Sequence, residues 1–173
     1  MIASVDYGPI PLKTFREGAF EFSFYDREAE FERRDEGGSR TPLSASTSRS
    51  MRENAVTYVA KRDRVHWQVV VNDFPEFAPP EGFQGGHLIP MVWATAETLT
   101  ESGYAPGSGP GSFEIDGRPA VAMVHHRQDA DRWIYTLFVA ARDSVLTYNI
   151  EMDEADRTAR VGDEVAGSIQ VVE

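Results

Sequence analysis

Residues 120–150 read AVAMVHHRQDADRWIYTLFVAARDSVLTYNI, and this stretch decides the fold. Three runs rich in β-branched and aromatic residues are separated by polar segments of hairpin length, which predicts strands over Ala120–His126, Arg132–Ala140 and Ser144–Ile150. In the middle run both alternating sets of side chains are apolar, so we expect this strand to be covered on both faces. The stretch therefore predicts an antiparallel meander at the centre of a layered domain.

Two amphipathic segments can supply helices to cover that meander. Apolar residues recur at steps of three and four from Leu88 to Leu99, with Pro90 in the first turn of the predicted helix. Gly103 is expected to end this helix. A second helix is predicted over residues 153–167, followed by a short β-prone tail. Together the segments predict an α+β fold in which an antiparallel sheet of about six strands has helices on both faces.

The N-terminal half adds strands and one long polar excursion. The phenylalanines of residues 20–24 alternate with other residues, which is the period of a strand with one buried face. Residues 27–54 are rich in Ser, Arg and Gly and show no buried face, so we expect a surface excursion there. A hairpin is predicted over 55–60 and 65–72, with its second strand central in the sheet. The length of 173 residues predicts one domain over residues 1–173.

Composition excludes several classes of function. Apolar residues make up 41% of the chain and charged residues 26%, and no apolar run approaches the length of a membrane span. The formal net charge of -11 repels a phosphate backbone, so neither nucleic acid nor membrane is an expected partner. The absence of cysteine excludes disulfides and thiolate chemistry. The N-terminal residues show no export signal, which predicts a cytoplasmic protein unless a leader has been removed.

The order of the elements also resembles that of a known superfamily. The runs that carry the likeness are YVAKRDRVHWQVVVNDFPE at 58–76, the helix near Trp93, FEIDGRPAVAMV at 113–124, the meander and DEVAGSIQVV at 163–172. Over about residues 18–172 the chain resembles the PsbP-like superfamily, which includes DcrB-like bacterial proteins and the small Ran-binding nuclear import factor. The resemblance implies an accessory or partner-binding protein, and it brings no catalytic signature to map onto this sequence.

The loop after the central strand holds the candidate binding residues. Phe74, Phe77 and Phe83 stand among prolines, a combination of large apolar groups and a backbone of reduced entropy that suits a contact surface. The alternative is that these rings cap the edge of the core. If the rings are exposed, His87 and Trp93 at the start of the following helix would extend the patch.

The histidines do not form a metal site by their spacing. His125 and His126 are adjacent and have Asp129 and Asp131 nearby. Neighbouring residues of a strand point to opposite faces, so one ion cannot take both imidazoles while the strand is regular. No metal and no other cofactor is therefore predicted.

Two further motifs are excluded as catalytic or nucleotide-binding sites. The glycines of 107–111 resemble a phosphate-binding loop, but a strand follows them and the required Lys and helix are missing. We therefore interpret residues 103–112 as a linker or turn. No G-x-S-x-G pentapeptide is present, so no serine nucleophile of the elbow type is predicted and no catalytic residue is assigned.

Three functions remain open on these grounds. The leading hypothesis is a non-enzymatic cytoplasmic accessory or chaperone-like protein that binds another polypeptide through the sheet face or the 74–83 loop. The second is a carrier of a small apolar ligand between helix and sheet, because Ala120 and Ala122 leave space on one face. The third is an enzyme that pairs His87 or His126 with a carboxylate in a cleft.

Overall fold

A computed structural model describes residues 12–25, 30–34, 55–62, 65–74 and 78–173. Strands predominate in these ranges, with two α-helices and one short 3-10 turn at Gln128–Ala130. In chain order the elements are β1 Leu12–Glu17, β2 Phe20–Tyr25, β3 Glu30–Arg34, β4 Ala55–Arg62, β5 Val65–Asp73, α1 Gly85–Glu101, β6 Ala105–Ile115, β7 Arg118–Arg127, β8 Arg132–Ala140, β9 Ser144–Met152, α2 Ala155–Ser168 and β10 Gln170–Val171.

The strands form two antiparallel sheets. The larger sheet has the order β3-β4-β5-β9-β8-β7-β6, and the smaller has the order β1-β2-β10. The predicted meander is confirmed, because β7 pairs with β8 and β8 with β9. The predicted hairpin of β4 and β5 is also confirmed, and β5 is central because it pairs with β9 on its other side.

A two-residue turn joins β6 to β7 and sets their register. Asp116 and Gly117 both have positive φ, 51° and 73°, as a hairpin turn of this length needs. The turn places Ile115 opposite Arg118. A short Asp and a glycine are the residues that accept this backbone at least cost, so the sequence specifies the turn directly.

One face of the large sheet is covered by the small sheet together with α2. The aromatic side of β2 is completely buried against it. Tyr148 of β9 donates a hydrogen bond of 2.8 Å from its hydroxyl to the backbone carbonyl of Ser23, which ties the two sheets together inside the core. The main members of this cluster are Phe20, Phe22, Phe24, Tyr58, Trp67, Leu137, Tyr148, Ile150, Val161 and Val165.

The opposite face carries α1 over β6, β7 and β8. Leu88 and Val92 are the buried residues of α1, and they pack on Val121, Met123 and Phe138. Neither helix in the described part of the chain is both long and apolar enough to cross a membrane.

The predicted six-stranded sheet with helices on both faces is wrong. The large sheet has seven strands, a second sheet of three strands is present, and strand residues outnumber helix residues about two to one among those described. The second face of the large sheet is covered mainly by the small sheet, together with α2. The small sheet was missed because β2 is paired by β1 and by β10, which lie at opposite ends of the sequence, and local periodicity does not report such pairing.

Three local predictions need correction. The interpretation of residues 103–112 as a linker is wrong, since most of them belong to β6, an edge strand that tolerates proline and glycine through two register shifts. The helix α1 begins earlier than predicted, after its N-cap Gln84, so Pro90 lies in the second turn instead of the first. The excursion at 27–54 contains β3, and its other residues lie outside the described ranges.

Candidate functional site

The phenylalanines of the 74–83 loop cap the core around α1 where they are described. Phe83 is buried, and its ring meets the half-buried ring of Phe74 edge to face with centroids 6.0 Å apart. The backbone amides of both residues donate to carbonyls of the β8–β9 turn, at Asp143 and Arg142. Phe77 lies outside the described residues. The two described rings are therefore held as a cap and are largely withdrawn from solvent.

The other two candidate binding residues, His87 and Trp93, lie in different surroundings. The Nδ1 atom of His87 accepts a hydrogen bond of 2.8 Å from the backbone amide of Gln84, which fixes the start of α1. Its ring also contacts Phe83 edge to face at 5.7 Å. Trp93 is 70% exposed on α1 and has no ring contact with any described residue. The structure thus joins Phe74, Phe83 and His87 but does not bring Trp93 into the same cluster.

A groove runs between helix α2 and the edge of the large sheet formed by β6 and β7, and we call it the helix groove. Its volume is about 470 Å3 and it is open to solvent. Small residues form much of its surface, and Phe113, which is 40% exposed, stands at its rim. The residues that line it are Ser108, Gly111, Ser112, Phe113, Ala122, Met123, Val124, Tyr135, Ala159, Asp163 and Ala166.

The groove exists because small residues face each other across it. Gly111 pairs with Ala122 in the register of β6 and β7, and a Cβ added at Gly111 would meet no atom within 4 Å. On the helical side, Ala159 and Ala166 present only methyl groups. A gap between these short side chains therefore remains unfilled. This is on the face where the sequence predicted space at Ala122, whereas Ala120 itself is buried in the core.

Tyr135 anchors the helix beside the groove. A Cβ added at Gly162 would lie 2.6 Å from the ring of Tyr135, so α2 rests directly on that ring. Burial, with the charge of Asp163 nearby, raises the pKa of Tyr135 to about 12. The hydroxyl therefore stays protonated at neutral pH and the groove wall carries no charge there.

A second concavity lies on the opposite face of the large sheet, beside the C-terminal half of α1, and we call it the polar pocket. Its volume is about 390 Å3. Strands β4, β5, β8 and β9 form its floor, and the helix forms one wall. The lining residues are Val59, Ala60, Lys61, His66, Trp67, Gln68, Thr95, Thr98, Leu99, Ile134, Asn149 and Glu151.

Glu151 is the centre of a hydrogen-bond network at one end of the polar pocket. Its Oε1 atom accepts from the Tyr104 hydroxyl at 2.7 Å and from Nε of Arg132 at 3.0 Å. Arg132 also donates from Nη1 to Asp153 at 2.6 Å. Burial alone would raise the pKa of Glu151, but the hydrogen bonds from Tyr104 and Arg132 outweigh it and hold the pKa below its usual range. Glu151 is therefore ionised at neutral pH.

His66 faces Glu151 across the β5–β9 pair. Its Nδ1 lies 3.6 Å from Oε2 of Glu151, and its side chain is 43% exposed. Burial lowers the pKa of His66, against the opposing influence of Glu151, so the ring is neutral at neutral pH. The sequence pattern indicated His87 or His126 for a carboxylate pair and gave no signal for the pair of His66 and Glu151. This pair follows from the register of the strands. Residues 61, 66 and 151 lie side by side across the sheet only because β4 pairs with β5 and β5 pairs with β9.

The adjacent histidines of β7 sit in different surroundings. His125 is buried, burial lowers its pKa, and neither ring nitrogen has a hydrogen-bond partner among the described residues. His126 stacks on Trp133 with ring centroids 4.0 Å apart, and its Nε2 lies 3.7 Å from Asp131. No group of three metal-ligand side chains occurs in the described ranges.

The Glu151 network predicts an acid-sensitive contribution to stability. Because the folded-state pKa of Glu151 is lower than its unfolded value, the ionised carboxylate stabilises the fold above about pH 4.5, and this contribution is lost as pH falls through the folded pKa. We expect Glu151→Gln to be less stable than the native chain at pH 7 and to lose less stability on acidification. Urea unfolding at pH 7 and at acidic pH measures both values.

Glu154→Gln, at an exposed position, is the control for this prediction. It should retain the native pH profile. A Glu151→Gln profile that runs parallel to the native one would contradict the assignment of this network.

Comparisons with known proteins add a distant structural likeness. No protein-family model matches the chain, and no curated protein matches it. Among solved structures, the chain is similar to a Pseudomonas aeruginosa protein of unknown function, with 13% sequence identity and a TM-score of 0.39 over 86% of this chain and 88% of that chain. This likeness is too distant to carry an argument about function, and the PsbP-like resemblance stays a prediction.

Proposed function

We propose that the protein is a non-enzymatic, cytoplasmic accessory or chaperone-like protein that binds an extended polypeptide segment in the helix groove. The observation that carries the proposal is the position of the groove, which lies directly beside the outer edge of β6. A strand added at that edge could form backbone hydrogen bonds while every second side chain enters the groove.

The edge of β6 is open but only partly suited to pairing. No strand in the described part of the chain pairs with its outer side. Pro106 and Pro110 lack amide hydrogens, and the register shifts around Ser108 interrupt the ladder. Residues 111–115 pair regularly with β7. The added strand is therefore expected to align with this last part of β6, next to the gap at Gly111.

Charge and shape indicate the chemistry of the segment. Asp163 contributes a carboxylate to the groove wall, and the chain carries a formal net charge of -11. A segment with a basic residue among alternating apolar residues would match both the carboxylate and the small, apolar floor. A groove of this size takes only a few side chains, so we expect affinity of roughly micromolar order, as is common for short peptide segments.

Filling the groove is the direct test of this proposal. Gly111→Leu places a side chain in the open space at that position without a predicted clash. Peptides selected on the native protein from a random display library should share an alternating apolar and basic pattern. We expect Gly111→Leu to weaken their binding at least about tenfold, since it occupies the space for their side chains. Isothermal titration calorimetry with the selected peptides measures the change.

Gly86→Leu is the matched control, because its Cβ also meets open space but lies on α1, on the other face of the large sheet. It should bind the peptides as the native chain does. Failure to enrich any such pattern, or peptides that bind both variants equally, would contradict the proposed function.

A carrier of a small apolar ligand is the second candidate, and the methyl-lined wall of Ala122, Ala159 and Ala166 favours it. The groove is open to solvent, so an isolated apolar molecule would remain partly hydrated there. An added strand would gain backbone hydrogen bonds as well, which is why we favour the polypeptide. A small apolar ligand that competes with the selected peptides at equal affinity would reverse this preference.

A further inference from the structure

We propose that the polar pocket beside α1 binds a small organic carboxylate with an apolar body. This inference is independent of the helix groove, which lies on the other face of the large sheet. It rests on three features of the pocket. These are a cation that no described side chain pairs with, an amide whose NH2 group is left available because its oxygen accepts a hydrogen bond, and an apolar wall.

Lys61 supplies the cation. It lines the pocket with an exposed side chain, and none of the side chains that the structure describes forms an ion pair or hydrogen bond with it. The neighbouring cation, Arg132, is already neutralised by Glu151 and Asp153. Lys61 is therefore the positively charged side chain of the described pocket that is left to pair with an anionic ligand.

Asn149 supplies a directed donor. The hydroxyl of Thr136, which is completely buried, donates to Oδ1 of Asn149 at 2.8 Å. Because the carbonyl end of the amide is held by this bond, the Nδ2 hydrogens are left to face the pocket that Asn149 lines. An amide donor and an ammonium group together favour an anionic oxygen ligand.

The other end of the pocket sets the orientation of the ligand. Glu151 is ionised there and is occupied by Tyr104 and Arg132, with His66 beside its second oxygen. Asn149 lies two residues from Glu151 on β9 and two strands from Lys61, so repulsion by Glu151 directs a carboxylate to the side of Asn149 that faces Lys61. The ligand's apolar body would then lie along Ile134 and Leu99, which line the pocket between strand and helix.

The volume of the pocket agrees with a small molecule. About 390 Å3 lies near the lower end of the range for ligand pockets, which begins at about 300 Å3. A single aromatic ring with one carboxylate fits this space. Benzoate is therefore a suitable probe.

A nuclear magnetic resonance titration of the full chain with benzoate tests the proposal. We expect saturable shift changes in residues of the pocket at concentrations up to about 10 mM, which corresponds to weak fragment binding. Benzyl alcohol, which lacks the charge, and inorganic phosphate, which lacks the apolar body, should each bind at least about tenfold more weakly. No saturable change with benzoate, or equal binding of either comparison compound, would overturn the proposal.

Two variants locate the binding groups. Lys61→Met removes the cation, and Asn149→Asp keeps the oxygen that accepts from Thr136 while it replaces the donor by a negative charge. Both should weaken benzoate binding at least about tenfold. The chain has one other lysine, Lys13 on β1, so Lys13→Met is the matched control and should bind benzoate as the native chain does. If all three variants bind benzoate equally, the assignment of the site is wrong.

Discussion

Replacing Phe22 by alanine is expected to reduce the free energy of unfolding by about 3–5 kcal/mol, the largest effect of any single substitution we propose. The ring is completely buried between the two sheets. It meets Tyr58 edge to face at 5.2 Å and Phe24 at 5.8 Å. Truncation removes the transfer free energy of the ring and leaves a cavity between two sheets that cannot close over it.

Urea unfolding followed by circular dichroism measures this loss, and Phe113→Ala is its control. Phe113 is partly exposed on the edge strand, so its truncation should change stability by no more than about 0.5 kcal/mol. A Phe22→Ala variant as stable as Phe113→Ala would show that the small sheet does not pack on the large one as described.

The second prediction is that a glycine-to-alanine change inside a helix destabilises the protein. In a helix interior alanine is normally favoured over glycine by about 1 kcal/mol. At Gly162 the added methyl would lie 2.6 Å from the buried Tyr135 ring, and overpacking of this kind typically costs about 1–3 kcal/mol. We expect the net effect of Gly162→Ala to be a loss of up to about 2 kcal/mol, because the gain in helix propensity offsets only part of the cost of overpacking against the ring.

Gly167 lies in the same helix and is the comparison position, because alanine is not expected to destabilise the protein there. A Cβ there meets no atom within 4 Å, so Gly167→Ala should leave stability unchanged or raise it by up to about 1 kcal/mol. Thermal unfolding of the two variants side by side measures the difference. If both alanines stabilise the protein, α2 does not rest on Tyr135 in the way the fold requires.

The parts of the fold that could be predicted are those specified by neighbouring residues. The meander follows from alternating apolar residues and short polar turns, and the Asp116-Gly117 turn follows from the backbone that these two residues accept. The small sheet could not be predicted in this way. Its central strand is held by β10, about 150 residues away, and the pairing is stabilised by packing that no local window contains.

The edge strand β6 shows a different limit of sequence interpretation. Glycine and proline predict a turn when they are considered locally, and the interpretation of residues 103–112 as a linker or turn follows from that. In an edge strand the outer amide hydrogens need no partner in the sheet, so proline there loses little. The strand is formed because the Asp116-Gly117 turn folds it back along β7.

The candidate sites were predictable only in part. The space beside Ala122 could be anticipated because alanine is short on a strand otherwise filled by larger residues, and the helix groove lies there. The pairing of His66 with Glu151 could not, since it depends on the register between β5 and β9. The phenylalanines of the 74–83 loop suited a contact surface by composition, but Phe83 proves to be part of the core cluster beneath α1.

Hydrogen–deuterium exchange of the backbone amides, with and without a selected peptide, tests the central claim that the edge beside the helix groove receives an added strand. The account predicts slower exchange in residues 111–115 of β6 and in the part of α2 that lines the groove when peptide is bound. Exchange at β3, the opposite edge of the large sheet, should not change. Protection at β3 or around α1, with none in residues 111–115, would contradict the account.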